Sequence, residues 1–307
     1  MCRDRESLRG ARGFSLIELI ISTALVLAVM GATFRLINQA YSAFYSEPDA
    51  PDATQKARVV VDTITYNLLA AGADLARGIP AAAPSRRGVI GADPPESAFD
   101  HRVSVVYAPP RAATTVVNGV AEQWNQLLVA DQAGCLPGNP LCGFRVDDLA
   151  IVGDETGAYD LFRIVRIEPG PPASLVGSAN LSKLYGPGAA VTVVLSATFW
   201  LDVDQATGSG VVRKYDGDRT DAPLVDDVGG MMFEYFSEAG RIDLARFRDG
   251  PWLPDAVSAN RYDADLLGVR RIRATLQFRA PRRLLAPSSF ETVRFDVAPR
   301  NLNRQAK

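Results

Sequence analysis

Hydrophobic positions along the chain fall into three regimes. From Phe14 to Phe34 the run FSLIELIISTALVLAVMGATF is apolar or small at every position except Glu18. At ~1.5 Å per residue, a helix of this length crosses a hydrocarbon core. The spacing predicts that helical character continues through Leu36, Ile37, Gln39 and Tyr41, until Pro48 and Pro51 break or kink it. Over residues 52–76 the pattern changes. Val60, Ile64, Leu68, Ala71 and Leu75 recur every three or four residues, the stripe of an amphipathic helix that packs on a sheet. Gly72 interrupts this stripe near its end, and Gly78 and Pro80 close it.

Residues 79–100 are rich in Pro, Ala and Gly and read as a loop or extended connection. Beyond them the pattern favours β-branched and aromatic residues, often with period two. Strands are expected at 102–107, 126–130, 148–153 and 160–167. A second Gly/Pro-rich patch covers 169–188. Then Val191–Leu201, the turn residues Asp204–Gly210 and Val211–Tyr215 read as a hairpin, followed by strands at 228–236, 271–279 and 290–297. The expected fold is α+β, a long N-terminal helix packed on antiparallel sheet. Its expected parts are a basic leader over 1–13, the helix over 14–78 with a membrane span at about 14–35, a loop-rich β insertion over 79–190, and an antiparallel β region over 191–307.

Charge sharpens the N-terminal reading. The net charge is −2, which gives no electrostatic footprint for nucleic acid. Arg3, Arg5, Arg9 and Arg12 precede the apolar run, while Arg35 is the one basic residue between it and Lys56. That asymmetry places the N-terminus in the cytoplasm and the remainder outside. The run is longer than a secretory signal and lacks a convincing small-residue cleavage site after it, so it reads as a retained anchor. Glu18 has two readings. It is a carboxylate wet at the interface, or it faces a positive partner. A cut between Gly13 and Phe14 would create an ammonium on Phe14, one helical turn from Glu18 and on the same face.

The segment Arg12-Gly13-Phe14-Ser15-Leu16-Ile17-Glu18-Leu19 resembles the type III signal of type IV prepilins and type II secretion pseudopilins. The resemblance implies that prepilin peptidase cleaves after Gly13 and methylates Phe14, and that Glu18 guides register in assembly. The stretch QKARVVVDTITYNLLAAGADL and the later LVDDVGGMMFEYFSEAG are similar to the layout of PilW-type minor pilins and of pseudopilin J. The implied function is a minor pilin that enters or primes a type IV pilus. The alternatives are a J-like pseudopilin and a membrane-anchored enzyme with a pilin-like N-terminus. Implied partners are the peptidase, other minor and major pilins, an inner-membrane assembly platform and the membrane itself.

Cys2 would leave with the leader, so Cys135 and Cys142 remain, bracketing the turn-prone Leu-Pro-Gly-Asn-Pro-Leu. In an oxidising compartment a disulfide is expected, with two free thiols as the alternative. Zinc is not expected, given that spacing and a single histidine. No G-x-S-x-G, Walker A, H-E-x-x-H or C-x-x-C is present, and His101 has no evident catalytic company, so no enzyme is expected. The acid groups Asp202/Asp204, Asp216/Asp218/Asp221 and Asp226/Asp227 are solvated turn residues or calcium ligands. None has EF-hand spacing, so no cofactor is assigned. Trp252, flanked by Pro251 and Pro254, is a surface contact or a residue tucked under a loop.

Overall fold

The computed structural model describes residues 15–46, 49–76, 78–94, 97–110, 112–117, 124–136, 138–154, 159–249, 252–253, 262–279, 290–299 and 301. The chain forms two compact units. The first holds residues 1–52 and 281–288, and the second holds residues 53–280 and 289–307.

In the first unit the apolar run becomes α1 (Leu16–Ser46), a single helix of 31 residues. Its sequence carries no proline and no charge beyond Glu18 and Arg35, so nothing interrupts it before Pro48. Helix α2 (Asp49–Ala70) carries the chain into the second unit. Pro51 sits in its first turn, where a missing N–H costs no helical bond. Its stripe is buried as the spacing predicts: Val60, Ile64, Leu68 and Ala71 are fully enclosed. The helix stops at Ala70 rather than near residue 76. Gly72 has φ +78° and Asp74 φ +52°, left-handed conformations that end a helix. The Gly72 amide is then free to donate to Val106 O at 3.0 Å, tying the helix end to the sheet.

Two short elements follow, β1 (Ala82–Ala83) and β2 (Arg102–Tyr107). The chain then leaves the sheet to build six strands: β3 (Ala113–Thr115), β4 (Gln126–Val129), β5 (Leu149–Gly153), β6 (Tyr159–Glu168), β7 (Ala173–Gly177) and β8 (Ala190–Val193). It returns through β9 (Leu195–Val203), β10 (Gly210–Tyr215), β11 (Asp221–Ser237) and β12 (Gly240–Ile242). A two-stranded ribbon of β13 (Trp252–Leu253) and β14 (Tyr262–Asp263) precedes β15 (Arg271–Arg279) and β16 (Phe290–Val297).

The main sheet runs β1-β2-β9-β10-β11-β15-β16, with β12 also on β11, and every pairing is antiparallel. Alternation sends Val103, Val105, Phe199, Phe233, Tyr235, Ile272, Ala274 and Leu276 to the core that receives the α2 stripe. This is helix over antiparallel sheet, an α+β arrangement. On the other side of the sheet, the Arg86 guanidinium lies 4.7 Å from the Trp200 ring and 4.0 Å from the Tyr215 ring.

The six intervening strands run β3-β8-β5-β6-β7-β4. They close into a barrel, because Val116 bridges Val129 and the Ala130 amide donates to Thr115 O at 2.9 Å. The barrel has its own core, including Leu127, Val129, Phe162, Ile164, Leu175 and Val191. The long connection between β7 and β8 supplies Leu181, Tyr185 and Ala189 to that core. A buried carboxylate holds this connection. Asp160 Oδ2 accepts from the Ser182 amide and hydroxyl, each at 2.8 Å, and from the Tyr185 hydroxyl at 2.9 Å. Burial and the adjacent Asp160 carboxylate push the Tyr185 hydroxyl far above its usual range, so it remains a proton donor.

Barrel and sheet share a third cluster, in which Ile79, Val106, Ala108, Ile151 and Val194 are all buried. An Arg163–Asp218 ion pair and an Arg219–Asp147 pair at 2.7 Å reinforce the junction.

Candidate functional site

The distinctive chemistry lies at the start of α1. Ser15 stands just before the helix, and its carbonyl accepts from the Glu18 amide at 3.0 Å and the Leu19 amide at 3.2 Å. Ser15 is thus the N-cap and Glu18 the third helical residue, the S-x-x-E spacing of a capping box. This places a carboxylate where the helix dipole is positive. The signal for this cap is the Ser15-x-x-Glu18 spacing ahead of an apolar run, which the sequence itself displays. Gly13 and Phe14 lie outside the described residues.

The rest of the helix is built for an apolar surrounding. Leu16–Ala40 is long and apolar enough to cross a membrane, and none of its most apolar stretch is buried by the rest of the protein. Its hydroxyl side chains are satisfied from within. Ser22 Oγ donates to Glu18 O at 2.6 Å, Thr23 Oγ1 to Leu19 O at 2.9 Å and Thr33 Oγ1 to Val29 O at 2.8 Å. Leu16, Ile20, Leu25, Met30, Phe34 and Leu36 are all more than half exposed. At ~1.5–3 kcal/mol each, covering these six is worth ~9–18 kcal/mol, as much as the whole stability of an ordinary domain. A surface of that kind is matched to a bilayer or to other apolar helices, not to water.

The other predicted residues are distributed as follows. Cys135 and Cys142 form a disulfide, with Cα atoms 5.6 Å apart. Their loop is pinned from inside, because Leu141 and Phe144 enter the barrel core and the Gln132 amide donates to Pro140 O at 2.7 Å. His101 stands beside β2, with Nδ1 3.2 Å from Asp100 Oδ1 and its ring 5.5 Å from that of Phe99. The side chain of Trp252 lies outside the described residues.

The acidic groups are engaged within the fold. Asp204 caps its own turn through the Ala206 amide and Thr207 hydroxyl, bonds that hold its carboxyl below the usual range. Asp216 Oδ1 accepts from the amides of Asp218, Arg219 and Thr220. Asp221 pairs with Arg213 at 2.8 Å, and Asp226 with Lys56 at 2.8 Å. No cluster of His, Cys, Asp and Glu is placed to hold a metal among the described residues. No family model, curated protein or solved structure matches the chain.

Proposed function

We propose that this chain is a minor pilin subunit, cut by prepilin peptidase between Gly13 and Phe14 and carried into a type IV pilus through α1. The observation that carries this reading is the combination at the start of that helix. An apolar rod left uncovered by its own fold bears one charge up to Phe34, and that charge is Glu18, in its first turn. Before assembly the rod is a membrane span, with the arginine-rich end cytoplasmic and the sheet and barrel on the far side. After assembly the apolar surface of neighbouring subunits replaces lipid. The ammonium created on Phe14 then gives Glu18 an opposite charge, in its own chain or its neighbour's. The barrel adds bulk beside the sheet, which supports a place at or near the filament tip rather than a repeated position along its length.

The decisive measurement is the mass of the N-terminal peptide of protein recovered from membranes and sheared filaments. The expected peptide begins at Phe14 and carries one added methyl group. A chain that retains Met1–Gly13, or one that starts well beyond Phe14, overturns the proposal. Gly13→Val is expected to block processing and filament entry together. Glu18→Val is expected to leave processing intact and block entry alone.

A further inference from the structure

The first turns of α2 in the second unit bury little apolar surface. Along the helix from Thr54, the first fully buried side chain is Val60; Thr54, Gln55, Arg58 and Val59 are exposed, and Ala57 is only partly packed against the core. Segments with so few buried contacts open locally at low cost. Lys56, in these turns, meets β11: its ammonium lies 2.8 Å from Asp226 Oδ1 and 3.2 Å from Asp227 Oδ2.

Two consecutive residues of a regular strand point to opposite faces, so they cannot both meet one ammonium. Strand β11 solves this with a bulge. Gly210 pairs with Val228 and Val212 with Val225, so Asp226 and Asp227 together oppose Val211 alone. Asp227 takes φ +60°, a conformation that L-residues adopt rarely and that glycine would hold more easily. Asp227 thus accepts a backbone cost in the conformation that sets its carboxylate on Lys56. The geometry is asymmetric in exposure: the Lys56 side chain is 23% exposed, Asp226 65% and Asp227 52%. The acids are therefore open to competing salt while the lysine is held.

We propose that Lys56 and the Asp226–Asp227 bulge form a salt-sensitive latch that sets how much of α2 the sheet holds. Latched, the helix is fixed from its first turns in the second unit. Released, residues 54–59 leave the sheet while the stripe from Val60 onward stays. Ala53 is where the chain enters the second unit, so the latch controls the length of helix held there, independently of any role in a filament.

Hydrogen exchange on the mature full-length chain in detergent tests this. In Lys56→Gln, and in the Asp226→Asn/Asp227→Asn double variant, amides of residues 56–60 are expected to exchange about threefold to tenfold faster. That is the range supplied by one or two partly exposed ion pairs. Raising salt from about 0.1 M to about 1 M shortens the screening length from about 10 Å to about 3 Å and is expected to move wild type the same way. Amides of 64–70 and 272–276 are expected to stay unchanged. Lys56→Glu combined with Asp226→Lys and Asp227→Lys is expected to restore protection. Salt-insensitive wild-type exchange, a triple variant as fast as Lys56→Gln, or parallel acceleration at 272–276 would each overturn the latch.

Discussion

Replacing Tyr185 with Phe tests how the long connection between β7 and β8 is held on the barrel. The ring volume is kept, so no cavity opens, and one hydrogen bond is removed. That bond runs 2.9 Å from the Tyr185 hydroxyl to Asp160 Oδ2, and both residues are buried. A bond to a charged acceptor contributes ~1.5–3 kcal/mol. Asp160 keeps the Ser182 amide and hydroxyl, so the carboxylate is not stranded and the loss stays within that range. The two-unit chain does not license a single unfolding free energy. The assay is therefore native-state exchange at the Ser182 amide, which the same carboxylate protects. Acceleration by about tenfold to 150-fold corresponds to that range. Asp160→Asn completes a double-mutant cycle, in which adding Tyr185→Phe should matter much less than it does in wild type. An acceleration below about threefold, or equal effects of Tyr185→Phe in both backgrounds, would refute the assignment of Asp160 as the anchor.

Three further outcomes follow from named contacts. Removing the disulfide by Cys135→Ser with Cys142→Ser frees a loop whose cysteines are 7 residues apart, and loop-closure entropy puts the loss at ~2.5 kcal/mol; exchange of the Leu141–Phe144 segment should report it, with α2 unaffected. Gly210→Ala brings a Cβ to 2.5 Å from Val228 O and 2.7 Å from Leu201 Cδ1, so backbone must shift, at ~1–3 kcal/mol. Gly138→Ala meets nothing within 4 Å and serves as the neutral comparison in thermal unfolding. Hydrogen bonds from Arg273 and Arg271 hold the Asp296 carboxyl below its ordinary value of 3.8, and a bond from Lys56 does the same for Asp226. Lowered folded values mean that these pairs stabilise fully above 3.8 and lose their contribution as pH falls through the lower folded values. Acid titration followed by exchange at β15, β16 and residues 56–60 should show protection flat above about pH 5 and falling below the ordinary carboxylate range.

The sequence made the periodic elements legible and concealed the irregular ones. The strand read at 102–107 is β2 to the residue, because its run of β-branched and aromatic residues suits a strand buried on both faces, and 271–279 and 290–297, where apolar and polar residues largely alternate, are β15 and β16. Val191–Leu201 read as one strand is two. Val194 marks the switch from barrel to sheet, a change of partner that leaves no trace in composition. Residues 173–177 fell inside a Gly/Pro-rich patch and read as loop, yet form β7. Its side chains are all buried, so no alternation signals it. The strand expected from Val228 begins at Asp221, since its first half carries the acids and the bulge that meet Arg213 and Lys56. Glu18 stood out as a charge in an apolar run, whereas Lys56 is an ordinary surface lysine until the fold brings β11 beneath it.

Barrel closure could not be inferred from pattern, but once seen it explains how the sheet tolerates so large an interruption. Tyr107 at the end of β2 pairs with Leu195 at the start of β9, so the barrel leaves and re-enters the sheet at one point. An insertion with adjacent ends and its own core leaves the host register undisturbed. Replacing residues 109–193 with Asn-Gly should therefore convert β2 and β9 into a hairpin, with Ala108 and Val194 flanking a two-residue turn. The excision is not free. Ile79, Val106, Ala108 and Val194 lose Ile151 as cover, and exposing Ile79, Val106 and Val194 alone costs ~4.5–9 kcal/mol. The α2 stripe at Val60, Ile64 and Leu68 does not enter that cluster and should keep its exchange protection in the shortened chain. If amides of 64–70 and 272–276 lose protection together, the junction is part of the sheet's own core and the barrel cannot be regarded as an addition to it. If they hold, the barrel is an addition that α2 and the main sheet do not need for their own packing.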